Sequence, residues 1–271
     1  MIKPALVRYT DWMNNLPDDI MISSLSIPGT HHSVARKGIF IWMWCQSLPL
    51  PVQMLIGIRF FDIRCRHYLN SLPVYHGPIF QNCHFRDCVE EMVSFLNGHP
   101  RETIIVRIKK EERRYYIGDR CTRSFSETFL DEIQRFPKET FWLQGNIPTL
   151  EKARGKIVII QDFLNDTDVP LGIPHDFLIV ADRFNVTNAK RKWANVRENL
   201  ITARYGEPHS MYLSFSSAKG LAPPCTVAKR VNPKLHRYIC SERHGRFGLI
   251  AMDYPGPTLI KDIIRTNFDD A

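Results

Sequence analysis

No apolar run in this 271-residue chain approaches the roughly 18 consecutive positions that a helix needs to cross a bilayer. The start, Met1-Ile2-Lys3-Pro4, is not followed by the apolar stretch of about 7–15 residues that a secretory signal carries. A cytoplasmic or peripheral-membrane location is therefore expected, with a secreted mature form left open. Cysteine is sparse and odd in number: there are seven, none in a Cys-x-x-Cys pair, and Cys83 and Cys88, on a helical-looking segment, are too far apart for one. That argues against a disulfide or metal framework and leaves reduced thiols in or near the core. No DNA- or RNA-binding signature accompanies the basic clusters Lys109-Lys110, Arg113-Arg114 and Lys190-Arg191-Lys192, so nucleic acid is not an expected partner. Internal repeats, low-complexity tracts and interdomain linkers are absent as well. One domain over residues 1–271, acting as a monomer, is the expectation.

What is present is apolar residue enough for one large core, at 44% of the chain, and a formal charge of +8 that favours anionic partners such as an acidic membrane face. Short apolar, β-branched runs recur, each ending on polar residues. Residues 22–27 read as a first strand closed by the turn signal Pro28-Gly29, and residues 57–63 as a second; Val74-Tyr75 ends a third apolar piece before His76. Residues 103–108 deliver Lys109, Lys110, Glu111 and Glu112; residues 155–160 deliver Gln161 and Asp162. Residues 177–181 lead to Asp182, residues 211–215 to Ser216 and Ser217, and residues 247–252 to Asp253. Helical patterns fall between them, at residues 5–20, 46–56, 84–97 (with Gly98 as C-cap) and 122–136. Strand and helix in alternation imply a parallel α/β sheet, and seven or eight such strands fit a closed or slightly irregular TIM (β/α) barrel. Chemistry in such barrels sits at the C-terminal strand ends, where the ionisable residues fall here.

Three of those ends stand out: Ser26-Ile-Pro-Gly-Thr-His31-His32, Gly57 to Arg66 with Asp62 and Arg64 inside it, and Tyr75-His76-Gly-Pro. If they converge, two histidines and an arginine face one pocket. One imidazole can take a proton from an attacking hydroxyl while the other protonates a leaving oxygen, and the arginine's planar fork can hold phosphate oxygens. A carboxylate such as Asp253 on the base histidine would fix its tautomer. The pattern suits cleavage of a phosphodiester. The run Gly-Ile-Phe-Ile-Trp-Met-Trp-Cys at residues 38–45 reads either as a buried helix or as a surface patch that enters lipid through Ile39, Phe40, Trp42 and Trp44. Its place just after the first strand end favours the patch.

In order along the chain, Ser26-Ile-Pro-Gly-Thr-His31, Phe61-Asp-Ile-Arg64-Cys-Arg66, His76-Gly-Pro, Glu102-Thr-Ile-Ile, Ile108-Lys-Lys-Glu111, Ala153-Arg-Gly-Lys-Ile-Val and Met252-Asp253-Tyr254 resemble the bacterial-type phosphatidylinositol-specific phospholipase C family. The resemblance implies an irregular TIM barrel acting on phosphatidylinositol or on glycosylated phosphatidylinositol lipids at a membrane surface. It implies attack by the inositol 2-hydroxyl on phosphorus, giving diacylglycerol and inositol 1,2-cyclic phosphate. By the same resemblance His31 is the general base with Asp253 as its partner, His76 the general acid, Arg64 the phosphate clamp and Asp62 its neighbour. Lys109 and Asp182 become inositol contacts. Metal-dependent relatives hold calcium where this chain has Arg64, so no cofactor and no metal are expected.

The chain departs from the family at named positions. His32 replaces an aspartate that helps position the arginine and the general acid; Phe184 replaces a stacking tyrosine; Asp162 replaces a basic inositol contact. A rim tryptophan is missing around Gly220-Leu221-Ala222, leaving residues 39–44 as the lipid anchor. Two other readings stay open: a barrel phosphodiesterase for glycerophosphodiesters or sphingolipids, and a catalytically weak lipid- or inositol-phosphate-binding protein on the same barrel.

Overall fold

The computed structural model describes residues 9–38, 41–111, 120–183, 188–218, 222–242 and 244–268. Its strands are β1 (Ser26–Thr30), β2 (Phe60–Cys65), β3 (Pro73–His76), β4 (Ile79–His84), β5 (Ile104–Lys110), β6 (Phe141–Trp142), β7 (Ile157–Asp162), β8 (Ile173–Pro174), β9 (Ile179–Ala181), β10 (Tyr212–Phe215) and β11 (Gly248–Met252). Its helices are α1 (Leu50–Leu55), α2 (Phe85–Gly98), α3 (Phe125–Ile133), α4 (Leu150–Ala153), α5 (Ala189–Tyr205), α6 (Pro224–Glu242) and α7 (Pro257–Arg265).

The strands pair in the order β6-β7-β5-β2-β1-β11-β10-β9, and each neighbour on that path is parallel. β8 shares the outer edge of β7 with β6, pairing at Ile160 and Gln161 while β6 pairs at Ile157 and Val158. Among the described residues no strand joins β9 to β8, so the sheet curls without closing: an irregular TIM barrel, not the closed alternative. The strands are near-continuous apolar runs because both faces are covered, as parallel sheets require. Phe60, Phe61, Ile63, Ile104, Ile105, Val106, Ile108 and Val158 are all fully buried.

Three readings of the sequence shift. β1 begins at Ser26, with Pro28 and Gly29 inside it, because residues 22–24 form a 3-10 turn. Gly29 is forced by packing: a Cβ there would lie 2.5 Å from the Phe60 ring on β2. The piece before His76 is the first arm of an antiparallel hairpin, β3–β4, turning at Gly77 with φ +55°, not a barrel strand. Cys83 sits on β4 rather than on the helix with Cys88.

The end of the barrel holding the strand N-termini is knit by a buried ion pair. Arg59, just before β2, donates through Nε to Glu102 Oε2 at 2.7 Å and through its other nitrogens to the Met54, Ile58 and Thr10 carbonyls. Glu102 Oε1 accepts from the Met13 and Asn14 backbone. This pins the first turn, with buried Trp12 and Met13, beneath the barrel. Helices α5, α6 and α7 cover the opposite wall through Val196, Leu200, Leu235, Ile239, Leu259 and Ile263.

Candidate active site

The first and second strand ends are locked together before any catalytic side chain is placed. Ser33 Oγ accepts from the Asp62 backbone N–H at 2.8 Å, Ser33 N–H donates to the Asp62 carbonyl, and the His32 N–H donates to Asp62 Oδ2 at 3.2 Å. Gln53 Nε2 donates to the Ser33 carbonyl. The turn makes His32 adopt φ +41°, a region that a bulky side chain enters only when its surroundings enforce it. Gln46 Nε2 then bridges the His31 and Met252 carbonyls at 2.8 and 2.9 Å, joining the ends of β1 and β11.

Across that joint His31 Nδ1 lies 2.8 Å from Asp253 Oδ1, with both side chains buried. The carboxylate accepts a hydrogen bond from Nδ1–H, which fixes the proton there and leaves the lone pair on His31 Nε2. That atom is buried with no hydrogen-bond partner among the described residues. Buried unpaired polar atoms are uncommon enough to need an explanation, and an acceptor waiting for a substrate hydroxyl supplies one. Asp253 is held in turn: Asn232 Nδ2 on α6 donates to its carbonyl at 2.9 Å. The Cys45 thiol lies beside its carboxylate, and burial, reinforced by that negative charge, raises the thiol well above its ordinary range.

Arg64 donates through Nε and Nη2 to Asp62 Oδ2 at 3.1 and 2.9 Å. The other oxygen, Oδ1, receives Arg107 Nη1 at 2.8 Å. Burial would raise the Asp62 pKa, but the two guanidiniums outweigh it and hold the carboxyl well below the usual carboxylate range. Arg107 continues to Asp162, which also has Lys109 Nζ at 3.7 Å. The register explains the chain of charges: Asp62 stands opposite Arg107, and Arg64, Lys109 and Asp162 occupy one rung of β2, β5 and β7. Asp162 therefore does not present a bare reversed charge. The Phe215 ring lies against both His31 (5.9 Å) and the Arg107 guanidinium (5.2 Å).

His76 closes the other side. Its Nδ1 lies 2.8 Å from the Met43 carbonyl, which as an acceptor fixes the proton there and leaves Nε2 for chemistry. Burial lowers its pKa, opposed in part by that hydrogen bond. His32 fills the space between the two histidines, its ring 4.6 Å from His31 and 4.1 Å from His76. Burial, and then Arg64 and the neighbouring histidines, push the His32 pKa far down, so it is a neutral ring. It fills the position without adding a cation against Arg64.

Asp182 follows β9, 4.0 Å from the Nζ of Lys192, a side chain that is 0% exposed. Lysine is almost never so buried without a partner. Lys192 donates to the Arg183 carbonyl at 3.1 Å, and burial pulls its pKa down to about 8 against the opposing pull of Asp182 and Asp253. Ile41, Trp42 and Trp44 stand out from the surface at 55%, 49% and 40% exposure, which supports the surface patch over the buried helix. Phe184, Ile39 and Phe40 lie outside the described residues.

The donors at this site decide whether calcium could be held here. Calcium takes about six or more oxygens; the carboxylate beside Arg64 has both of its oxygens engaged by guanidiniums. These residues do not fit that ion.

The sequence profile described as "Phosphatidylinositol-specific phospholipase C, X domain" matches residues 27–162. A "1-phosphatidylinositol phosphodiesterase" of Listeria monocytogenes is 30% identical over 282 residues, covering 96% of this chain and 86% of that protein. The chain belongs to the phosphatidylinositol-specific phospholipase C X-domain family. The solved phosphatidylinositol-specific phospholipase C from Listeria monocytogenes superposes with a TM-score of 0.83 at 28% identity, covering 97% of this chain and all of that one. A variant of the Staphylococcus aureus phosphatidylinositol-specific phospholipase C gives 0.85 at 25% identity, covering 96% and 98%.

Within this phospholipase C-family barrel, sequence reading missed Arg107, Cys45, Gln46 and Lys192. For Arg107 a signal existed: it interrupts an otherwise β-branched strand two positions before Lys109, which puts both on one face. For Lys192 the signal was helix phase, since it leads the buried series Val196, Asn199, Leu200 and Ala203.

Proposed function

We propose that the chain is a phosphatidylinositol phosphodiesterase that cleaves the glycerol–phosphate bond to release diacylglycerol and inositol 1,2-cyclic phosphate, with residues 1–271 acting as one catalytic unit. The observation that carries the mechanism is the unpaired, buried Nε2 of His31, backed by Asp253 on Nδ1. His31 takes the proton of the inositol 2-hydroxyl as that oxygen attacks phosphorus. Asp253 steadies the imidazolium that forms. Arg64, braced by Asp62 and Arg107, holds the phosphate oxygens as charge builds on them. His76 acts as the imidazolium: with Nδ1–H kept on the Met43 carbonyl, it gives its Nε2 proton to the glycerol oxygen as the phosphorus–oxygen bond breaks and becomes the neutral ring. Proton removal and proton delivery thus fall to two separate histidines with the His32 ring between them. Lys109, Asp182 and Phe184 contact the inositol, His32 shapes the space between base and acid, and Ile39, Phe40, Trp42 and Trp44 enter the lipid surface. A protein that only bound lipid would have no use for a base with an empty nitrogen beside a paired acid.

The test is incubation with phosphatidylinositol vesicles in excess chelator, followed by phosphorus NMR. Inositol cyclic phosphate should appear, and a His31→Ala/His76→Ala double variant should form none. Complete loss in chelator that calcium restores would refute the metal-free mechanism, and absence of cyclic product under all conditions would refute the assignment.

A further inference from the structure

A histidine, a cysteine and an aspartate meet on the outer helices α6 and α7. His236 and Cys240 stand four residues apart on α6, so both project from one face in successive turns. Asp262 on the adjacent α7 meets them. His236 Nε2 is 2.7 Å and Cys240 Sγ 3.7 Å from the same oxygen, Asp262 Oδ2, and the three ligand atoms lie within 4.8 Å of one another. The other carboxylate oxygen is engaged separately by Arg265 Nη1 at 3.3 Å, which orients the group and leaves Oδ2 facing the histidine and thiol. The cluster opens to solvent, with Cys240 exposed.

We propose that His236, Cys240 and Asp262 form a surface site for a borderline-soft divalent cation of the zinc class, which clamps α6 to α7. One nitrogen, one sulfur and one carboxylate oxygen are the ligands that zinc, cobalt and cadmium accept and that magnesium and calcium do not favour. Metal–ligand bonds of about 2.0–2.3 Å set tetrahedral ligand atoms somewhat over 3 Å apart. The sulfur–oxygen spacing already meets that, and the nitrogen–oxygen spacing needs to open by under 1 Å. Binding replaces protons. The Cys240 thiol releases one proton to solvent, and the His236 proton moves from Nε2 to Nδ1. A water completes the fourth position.

The experiment is titration of the full, reduced chain with cobalt(II), read as the thiolate-to-cobalt charge-transfer band, followed by displacement with zinc. One equivalent should bind, zinc should bleach the band, and zinc should raise the thermal midpoint. Cys240→Ser should abolish the band and the thermal shift, while His236→Asn should weaken cobalt binding by at least about tenfold. No band at excess cobalt would overturn the proposal. So would a band retained in Cys240→Ser, which would assign the metal to the His31, Cys45 and Asp253 cluster at the catalytic base instead.

Discussion

Asp253→Asn removes one charge from a buried contact and changes little else in volume. In the transition state His31 becomes an imidazolium whose charge centre sits about 4 Å from the carboxylate, given the 2.8 Å Nδ1–Oδ1 distance. At the effective dielectric of about 20 that suits protein sites, the lost attraction is about 4 kcal/mol. With 1.36 kcal/mol per decade, kcat should fall on the order of a thousandfold. The asparagine amide also offers an N–H to Nδ1, and in that tautomer the proton sits on Nε2, the atom that must accept. Raising the pH therefore should not restore turnover. The assay is cleavage of a soluble phosphatidylinositol analogue across pH, with a thermal melt to show that the fold is retained. A loss smaller than about tenfold in a folded variant would refute the base assignment.

The other predictions test separate parts of the molecule. His32→Asp places a carboxylate against the His76 ring, which favours the imidazolium and lifts a pKa that burial now holds low. The alkaline limb of kcat/KM, where the acid loses its proton, should move to higher pH; a fall in turnover at every pH would count against His76 as the acid. Trp42→Ala/Trp44→Ala should lose vesicle binding in a sedimentation assay while cleaving a soluble substrate, and unchanged binding would remove that loop from the lipid contact. Glu102→Gln leaves the buried Arg59 guanidinium without its counter-charge, and denaturant unfolding should show a loss of about 3–5 kcal/mol. A loss under about 1 kcal/mol would mean that the five other hydrogen bonds of the pair suffice.

How much of this could be read from the chain alone depends on which spacing recorded it. Strand periodicity and polar strand ends located β5, β7, β10 and β11 and the residues that follow them, because burial on both faces leaves an unbroken apolar run. The same periodicity could not separate a barrel strand from the hairpin arm before His76, since strand direction is a tertiary property. It also hid Glu102. Its motif stands among those that carry the resemblance, yet Glu102 serves the strand-start end of the barrel and holds Arg59. The setting of Asp162 is likewise a matter of strand order: β5 lies between it and Asp62 and brings Arg107 to both.

The turn at residues 41–45 carries more than its tryptophans. Its Met43 carbonyl holds the His76 ring, its Trp44 carbonyl accepts the Tyr254 hydroxyl at 2.8 Å, and its Cys45 carbonyl accepts the Tyr254 N–H directly after Asp253. One short turn thus carries exposed apolar side chains and also holds both His76 and the residue directly after Asp253. Whatever orders this turn therefore also orders the His76 ring and the backbone that follows Asp253.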